Sequence, residues 1–149
     1  MENKIVTVRK AEKKDVKGIV KRENECFSTP ETEESIYSFL KSQTFFVDVI
    51  EDEGEITGHC IYFFVPDNAE IISVAVTPDK RRMGYGRELV YSVINRAKEK
   101  ECKEVFLEVR KSNEAAIALY TSMGFRQVGE RKNLYSKPVE DGLIMQYTI

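Results

Sequence analysis

The chain has 149 residues, 42% hydrophobic and 32% charged, which suits one soluble domain burying its own core and excludes a disordered tract. A net charge of −2 excludes bulk nucleic-acid binding, so any basic site must be local. No apolar run approaches the roughly 20 residues of a membrane helix, and Met1, Glu2, Asn3 and Lys4 lack a signal peptide's basic-then-apolar order. A cytoplasmic location without membrane contact is therefore expected.

The three cysteines, Cys26, Cys60 and Cys102, lie far apart with neither zinc spacing nor a disulfide framework. Cys60 stands in an apolar run and reads as a buried free thiol. No metal is expected.

Taken in order, Ile5 to Arg9 alternates like a strand. A helix is predicted from about Asp15, with Val16, Ile19, Val20 and then Cys26 or Phe27 facing inward. Ser28-Thr29-Pro30 breaks it, and Glu31 to Leu40 forms a second helix turning Ile36, Phe39 and Leu40 inward. The period then changes. Phe45 to Glu51 and Ile56 to Val65 read as strands joined at Asp52-Glu53-Gly54, and Glu70 to Thr77 as a third after the turn Pro66-Asp67-Asn68. These three are expected to be antiparallel neighbours.

The second half alternates differently. Gly86 to Lys100 is amphipathic, with Leu89, Val90, Val93, Ile94 and Ala97 on one face. Glu104 to Arg110 reads as a strand, Asn113 to Met123 as a helix ending at Gly124, and Phe125 to Arg131 and Leu143 to Ile149 as closing strands. Strand, helix and strand with short connections predict a parallel crossover. The expected fold is α/β: a single domain with a mixed, mostly antiparallel sheet and helices on both faces.

The most informative segment runs from the strand Ile71 to Thr77 through Pro78 into Lys80-Arg81-Arg82-Met83-Gly84-Tyr85-Gly86-Arg87, where a helix begins. A helix start leaves about four backbone N–H groups unpaired, at the positive end of the dipole. Glycines let the backbone approach an anion closely, and arginines add charge and forked donors. Together these features make a pyrophosphate cradle. A dinucleotide loop would need glycine where Leu89 stands, and a Walker loop needs Gly-Lys-Ser/Thr, which is absent. A solvated surface turn is the plain alternative.

Val74-Ala75-Val76 followed by Arg81-Arg82-Met83-Gly84-Tyr85-Gly86 resembles the signature of the GNAT acetyltransferase superfamily. Leu107-Glu108-Val109-Arg110-Lys111-Ser112-Asn113, Ala116-Ile117-Ala118-Leu119-Tyr120 and Gly124-Phe125 resemble its RimI-like branch, the protein N-terminal acetyltransferases. The likeness runs from about Glu70 to the C-terminus. It implies acetyl-coenzyme A as cosubstrate, held by Val74, Ala75 and Val76 along the arm and by Arg82, Met83, Gly84, Tyr85, Gly86 and Arg87 at the pyrophosphate, with Asn113 also touching it. It also implies a bulge in the strand before the loop.

Transfer to an amine requires that the amine be neutral. An α-amine of pKa about 7.7–8.0 is roughly a tenth to a sixth free at pH 7, whereas a lysine near 10.4 offers a few parts in ten thousand. Glu108 is the candidate base. Its neighbours Val105, Phe106, Leu107 and Val109 are apolar, which predicts that the carboxylate loses solvation. The plain alternative is an ion pair with Arg110 or Lys103. Tyr120 is the candidate acid for a departing thiolate, although a phenol near pKa 10 gives its proton to a thiolate near 8.5 only at about 2 kcal/mol. Its alternative is an aromatic core residue. Asn113, or Ser112, is equally a helix cap. His59, the lone histidine, reads as a strand residue rather than a ligand, and direct attack needs no covalent intermediate.

In the RimI-like branch an Arg/Lys-Asn-Tyr-Tyr stretch followed by Asp-Gly borders the acceptor peptide. Arg131-Lys132-Asn133-Leu134-Tyr135 and Asp141-Gly142 resemble it, with Leu134 replacing one aromatic. Glu23, Phe27 and Ser28 resemble the first acceptor loop, where the usual Pro-Trp has become Thr29-Pro30 and then Glu31. Phe27 and Tyr135 are the implied acceptor contacts, for a protein N-terminus. A small-molecule amine acetyltransferase, a non-catalytic acyl-coenzyme A sensor and a phosphate-binding interaction module are the alternatives.

Overall fold

The structure, a computed structural model, describes residues 6–149. Of the first predicted strand, Ile5 lies outside the described residues, as do Met1 to Lys4. β1 spans Val6–Lys10, α1 Val16–Cys26, α2 Glu33–Lys41, β2 Phe45–Asp52, β3 Glu55–Val65 and β4 Asn68–Val76. α3 spans Tyr85–Glu99, β5 Glu104–Arg110, α4 Glu114–Met123, β6 Arg126–Tyr135 and β7 Glu140–Thr148. Among the described residues, no helix is long and apolar enough to cross a membrane.

The seven strands form one sheet in the order β1-β2-β3-β4-β5-β7-β6. Only β4 and β5, joined through α3, run parallel, and every other pair is antiparallel. This is the predicted mixed sheet. The closing strands are longer than predicted, because β6 carries on through Lys132 and Asn133 to Tyr135. As an edge strand it tolerates charged residues that a periodicity reading takes for loop.

Alternation divides the sheet into two cores. Cys60 and Tyr62 of β3 turn to one face, where α3 lays Leu89, Val90, Val93 and Ile94 against them. Each of these helix residues is at most 1% exposed, which stabilises by about 1.5–3 kcal/mol per side chain. Ile61 of β3 turns the other way and meets Val16, Ile19 and Ile36 from α1 and α2. Gly58 lets α3 and the two strands approach: a Cβ there would stand 2.7 Å from the Ala75 carbonyl oxygen and 3.3 Å from Leu89 Cδ1. α2 begins at Thr32, whose hydroxyl accepts from Ser35 N (3.1 Å) while the Ser35 hydroxyl accepts from Thr32 N (2.9 Å).

Asp48 of β2 is buried beneath α3, where the Tyr62 hydroxyl donates to its Oδ2 at 2.7 Å. Among the described residues its Oδ1 has no partner. Burial pushes this carboxyl up, and the Tyr62 bond with the charges of Arg96 and Lys10 offsets only part of that. A raised folded value means that the group's stabilising contribution is complete below the ordinary carboxylate pKa and is lost as pH rises through the folded value. Asp48→Asn, which keeps an acceptor for Tyr62, should therefore raise stability at pH 8 by on the order of 1 kcal/mol. No gain should appear below about pH 4. Thermal melts across that range read it, and a less stable variant at pH 8 would show that Asp48 is a satisfied anion.

Candidate active site

β4 and β5 pair through only four residue pairs, from Asn68↔Glu104 to Ile71↔Leu107. There β4 bulges: its partners on β3 pass from Tyr62↔Ile71 to Ile61↔Ser73, leaving Ile72 as the extra residue. Beyond the bulge β4 stays with β3 up to Val76, while β5 stays with β7 up to Arg110. The two strands diverge and open a cleft of about 560 Å³ in the middle of the sheet. β4 walls it with Ile72, Ser73 and Val74, β5 with Glu108, and α4 with Asn113, Ala116 and Tyr120. The end of α1 adds Cys26 and Phe27, and the β6–β7 hairpin adds Tyr135.

Of the strand residues expected along a cofactor arm, Val74 lines the cleft and Ala75 is buried against β3. The Val76 carbonyl accepts from the Cys26 thiol at 3.5 Å. Past Ile71 this edge of β4 has no strand beside it, so its peptide groups suit an extended amide-bearing chain.

The basic loop after β4 is an anion cradle in shape. Arg82 (φ 65°) and Gly84 (φ 87°) both take left-handed backbone, and Gly84 caps the start of α3. A Cβ on Gly84 would meet nothing within 4 Å, so the backbone there borders open space. The first α3 bond recorded runs from Glu88 N to Gly84 O at 3.1 Å, leaving the preceding amides to point out of the helix end. Arg82 and Met83 are exposed beside it, and Gly86 packs near Leu119 and Val76. Arg87 donates to the Ser122 hydroxyl at 2.7 Å, which ties the loop's helix to α4. Tyr85 offers the loop its backbone alone. Its side chain is buried, with the hydroxyl donating to Asp52.

Glu108 lines the cleft but is not desolvated by its neighbours. Val105, Leu107 and Val109 turn to the α3 face, whereas Phe106 and Glu108 turn to the other, so residues adjacent in sequence are apart in space. Its side chain stays 39% exposed and meets Arg131 of β6 at 3.7 Å, rather than Arg110 or Lys103. Tyr120 is buried at the cleft wall, and burial pushes its phenol well up, which keeps it a neutral donor. A raised phenol makes full proton transfer to a thiolate more uphill and leaves hydrogen bonding as its contribution. Asn113 lines the cleft and caps α4, its Oδ1 accepting from Ala116 N at 3.1 Å.

Two features escaped the sequence reading. The first is a buried relay on α1. Arg22 Nη1 lies 2.9 Å from His59 Nδ1, and His59 Nε2 lies 2.7 Å from Glu23 Oε2. Arginine only donates, so Nδ1 accepts, and the imidazole is the neutral tautomer with its proton on Nε2, given to Glu23. Complete burial pushes His59 down, in agreement. Burial drives Glu23 upward, but bonds from His59, Ser73 and the Glu31 amide outweigh it and hold the carboxyl below its ordinary range. The legible signal was position: Glu23 continues the inward Val16, Ile19 stripe of α1, where an unpaired charge does not belong.

The second is a clasp. Arg110 Nη2 donates to the Ser28 hydroxyl and to Ser136 O, both at 2.9 Å, and its Nη1 donates to Pro138 O at 3.0 Å and Glu140 Oε1 at 3.1 Å. Its guanidinium lies 4.7 Å over the Tyr135 ring. Arg110 thus fastens the α1–α2 loop to the β6–β7 hairpin, beside the direct bond from the Ser28 hydroxyl to Ser136 O (2.9 Å), and lies against Tyr135 at the cleft. Burial, then the Glu108 charge, pushes the Tyr135 phenol up to about 12, so it stays a neutral hydrogen-bond donor. Leu134 lies across Gly142 of the hairpin and does not line the cleft.

The model of the acetyltransferase (GNAT) family matches residues 16–125. A Bacillus subtilis (strain 168) protein, provisionally named a ribosomal protein bS18-alanine N-acetyltransferase, is 36% identical over 95% of each chain. The ribosomal protein bS18-alanine N-acetyltransferase of Escherichia coli (strain K12) is 39% identical over 62% of each. A crystal structure of the ribosomal-protein-S18-alanine N-acetyltransferase from Escherichia coli superposes with a TM-score of 0.87 at 31% identity, over 97% of this chain and 94% of that one.

Arg110→Ala should release the clasp without opening the sheet. Amide exchange in the turn between β6 and β7 and in the α1–α2 loop should speed by about tenfold or more, with β2 to β4 unchanged. Hydrogen-exchange mass spectrometry reads this directly, and unchanged protection in both segments would mean that other contacts hold them.

Proposed function

We propose, from the premise that this chain belongs to the acetyltransferase (GNAT) family and moves acetyl groups from acetyl-coenzyme A to amines, that its acceptor is the N-terminal α-amine of a protein. The observation that carries the reading is the lining of the cleft. Besides Glu108 and Tyr120, it is lined by Phe27 and Ser28 of the α1–α2 loop and by Tyr135 and Pro138 of the hairpin, and the Ser28 hydroxyl donates to Ser136 O at 2.9 Å, which joins loop and hairpin into one wall. Such a wall, with an aromatic ring from each side, suits the end of an extended chain. The names of the relatives point the same way, to ribosomal protein N-termini. An acceptor of that class is met in the cytoplasm.

Acetyl-coenzyme A, held with its diphosphate on the loop around Gly84 and its arm along Val74 to Val76, supplies an acetyl group already activated as a thioester. The residues supply the rest. The backbone amides at the start of α3, with Arg82 and Arg87 nearby, hold the diphosphate. Asn113 adds a polar group at the start of α4. Glu108 accepts the proton that the amine loses, directly or through one water. Tyr120 donates a hydrogen bond to the leaving sulfur from the opposite wall. Phe27 and Tyr135 border the acceptor's first residue, with Arg110 keeping Tyr135 in place.

Glu108→Gln should bind acetyl-coenzyme A with unchanged Kd and lose about 10²- to 10⁴-fold in kcat toward a peptide with a free N-terminus. Calorimetry and a thiol-release assay read the two quantities. A wild-type protein that acetylates polyamines or aminoglycosides but no peptide would replace the acceptor class. One that binds acetyl-coenzyme A without any turnover would be a sensor.

A further inference from the structure

The buried relay does more than fill α1's inner face, because the Glu23 carboxylate reaches two separate parts of the site at once. Its Oε2 accepts from Ser73 at 2.6 Å and from His59 at 2.7 Å, and Ser73 is the residue on which β4 resumes after its bulge. Its Oε1 accepts from the Glu31 amide at 3.1 Å, and Glu31 closes the loop that carries Phe27 and Ser28. Behind it, Arg22 fixes the imidazole and anchors to Thr77 Oγ1 (3.0 Å), at the end of β4 just before the basic loop, and to Ile56 O of β3 (3.2 Å). Glu23 is 2% exposed, so water does not compete for these bonds.

We propose that Glu23 is a positioning residue that locks the acceptor loop to the cofactor strand, so that one carboxylate sets the spacing between the two substrates. It takes no proton in the reaction. The reading of the α1–α2 loop as acceptor wall is that of the proposed function, and the proposal rests on it.

Hydrogen-bond chemistry gives the two arms separate tests. A glutamine at 23 has one acceptor oxygen and one donor group. Kept as acceptor toward His59 and Ser73, it turns N–H toward the Glu31 amide, two donors face to face, and the loop arm breaks while the strand arm stays. Glu23→Gln should therefore raise KM for a peptide with a free N-terminal alanine by about tenfold. The Kd for acetyl-coenzyme A should stay within about twofold. Ser73→Ala breaks the strand arm alone. It should weaken acetyl-coenzyme A binding by about three- to tenfold, with peptide KM at saturating cosubstrate within about twofold.

The experiment is calorimetry with acetyl-coenzyme A, steady-state kinetics with the peptide, and a thermal melt, on the full chain and both variants. Opposite splits in the two variants establish the lock. A lower Tm with both constants unchanged, or a parallel rise in both, makes Glu23 a structural residue and overturns it. If Glu23→Gln does not fold, Ser73→Ala decides, and an unchanged Kd for acetyl-coenzyme A overturns the proposal. If the wild type refuses every peptide, the acceptor assignment fails, and the same split is read with the amine that does turn over.

Discussion

The functional architecture depends on one interruption: parallel pairing between β4 and β5 stops after Ile71↔Leu107. A sheet is a barrier because its backbone groups satisfy each other from strand to strand. The extra residue Ile72 rotates β4 out of register and frees peptide groups on its inner edge, while β5 keeps its bonds to β7. A slot therefore passes between the strands without unfolding either. The core under α3 spans both sides of the split, and the α1–α2 core adds to the β2–β3 side, so the opening is held by packing rather than left to fluctuate.

The polar groups around that slot follow from its making. Strands that lose their partners need substitutes, and buried side chains supply them. Ser73, immediately past the bulge, gives its hydroxyl to Glu23. Cys26 turns its thiol to the Val76 carbonyl, on the edge that β5 has left. At the far end of β5, Arg110 spans to the hairpin and the α1–α2 loop. Glu23 and Arg110 are thus the same solution on two sides of the cleft: an ionic side chain with several bonds where a single strand no longer has a neighbour.

How much of this was legible depended on the range of the interaction. The strand and helix order followed from alternation and from turn residues such as Glu53 and Gly54, both at positive φ. The tight turn into α3 followed from Gly84 and the helix start, which are contiguous. Contacts that join distant segments were not legible. Tyr85 looked like a loop residue until its hydroxyl was found on Asp52. His59 looked like a strand residue, which it is, but its partners stand 36 and 37 positions away. Glu108 misled by adjacency, because three of its four apolar neighbours, Val105, Leu107 and Val109, turn to the opposite face of the sheet. Alternation decides burial residue by residue, and a run of apolar letters around a charge does not desolvate it.

The exposure of Glu108 bears on which amines such a site can use. Its carboxylate stands open to water, 3.7 Å from the Arg131 guanidinium, rather than in an apolar pocket. The remaining burden falls on the amine. At pH 7 an α-amine is neutral a few hundred times more often than a lysine, which corresponds to about 3.5 kcal/mol that the base need not provide. A lysine acceptor would demand a carboxylate free to take its proton, and the others that line the cleft are engaged: Glu23 accepts three hydrogen bonds, Glu140 accepts from Arg110 and the Ser112 amide, and Glu31 accepts from Ser35. An N-terminus needs only a proton acceptor within reach and a mouth that aligns it. Exposure of Glu108, the proposed base, is thus a defect for one substrate class and compatible with the other.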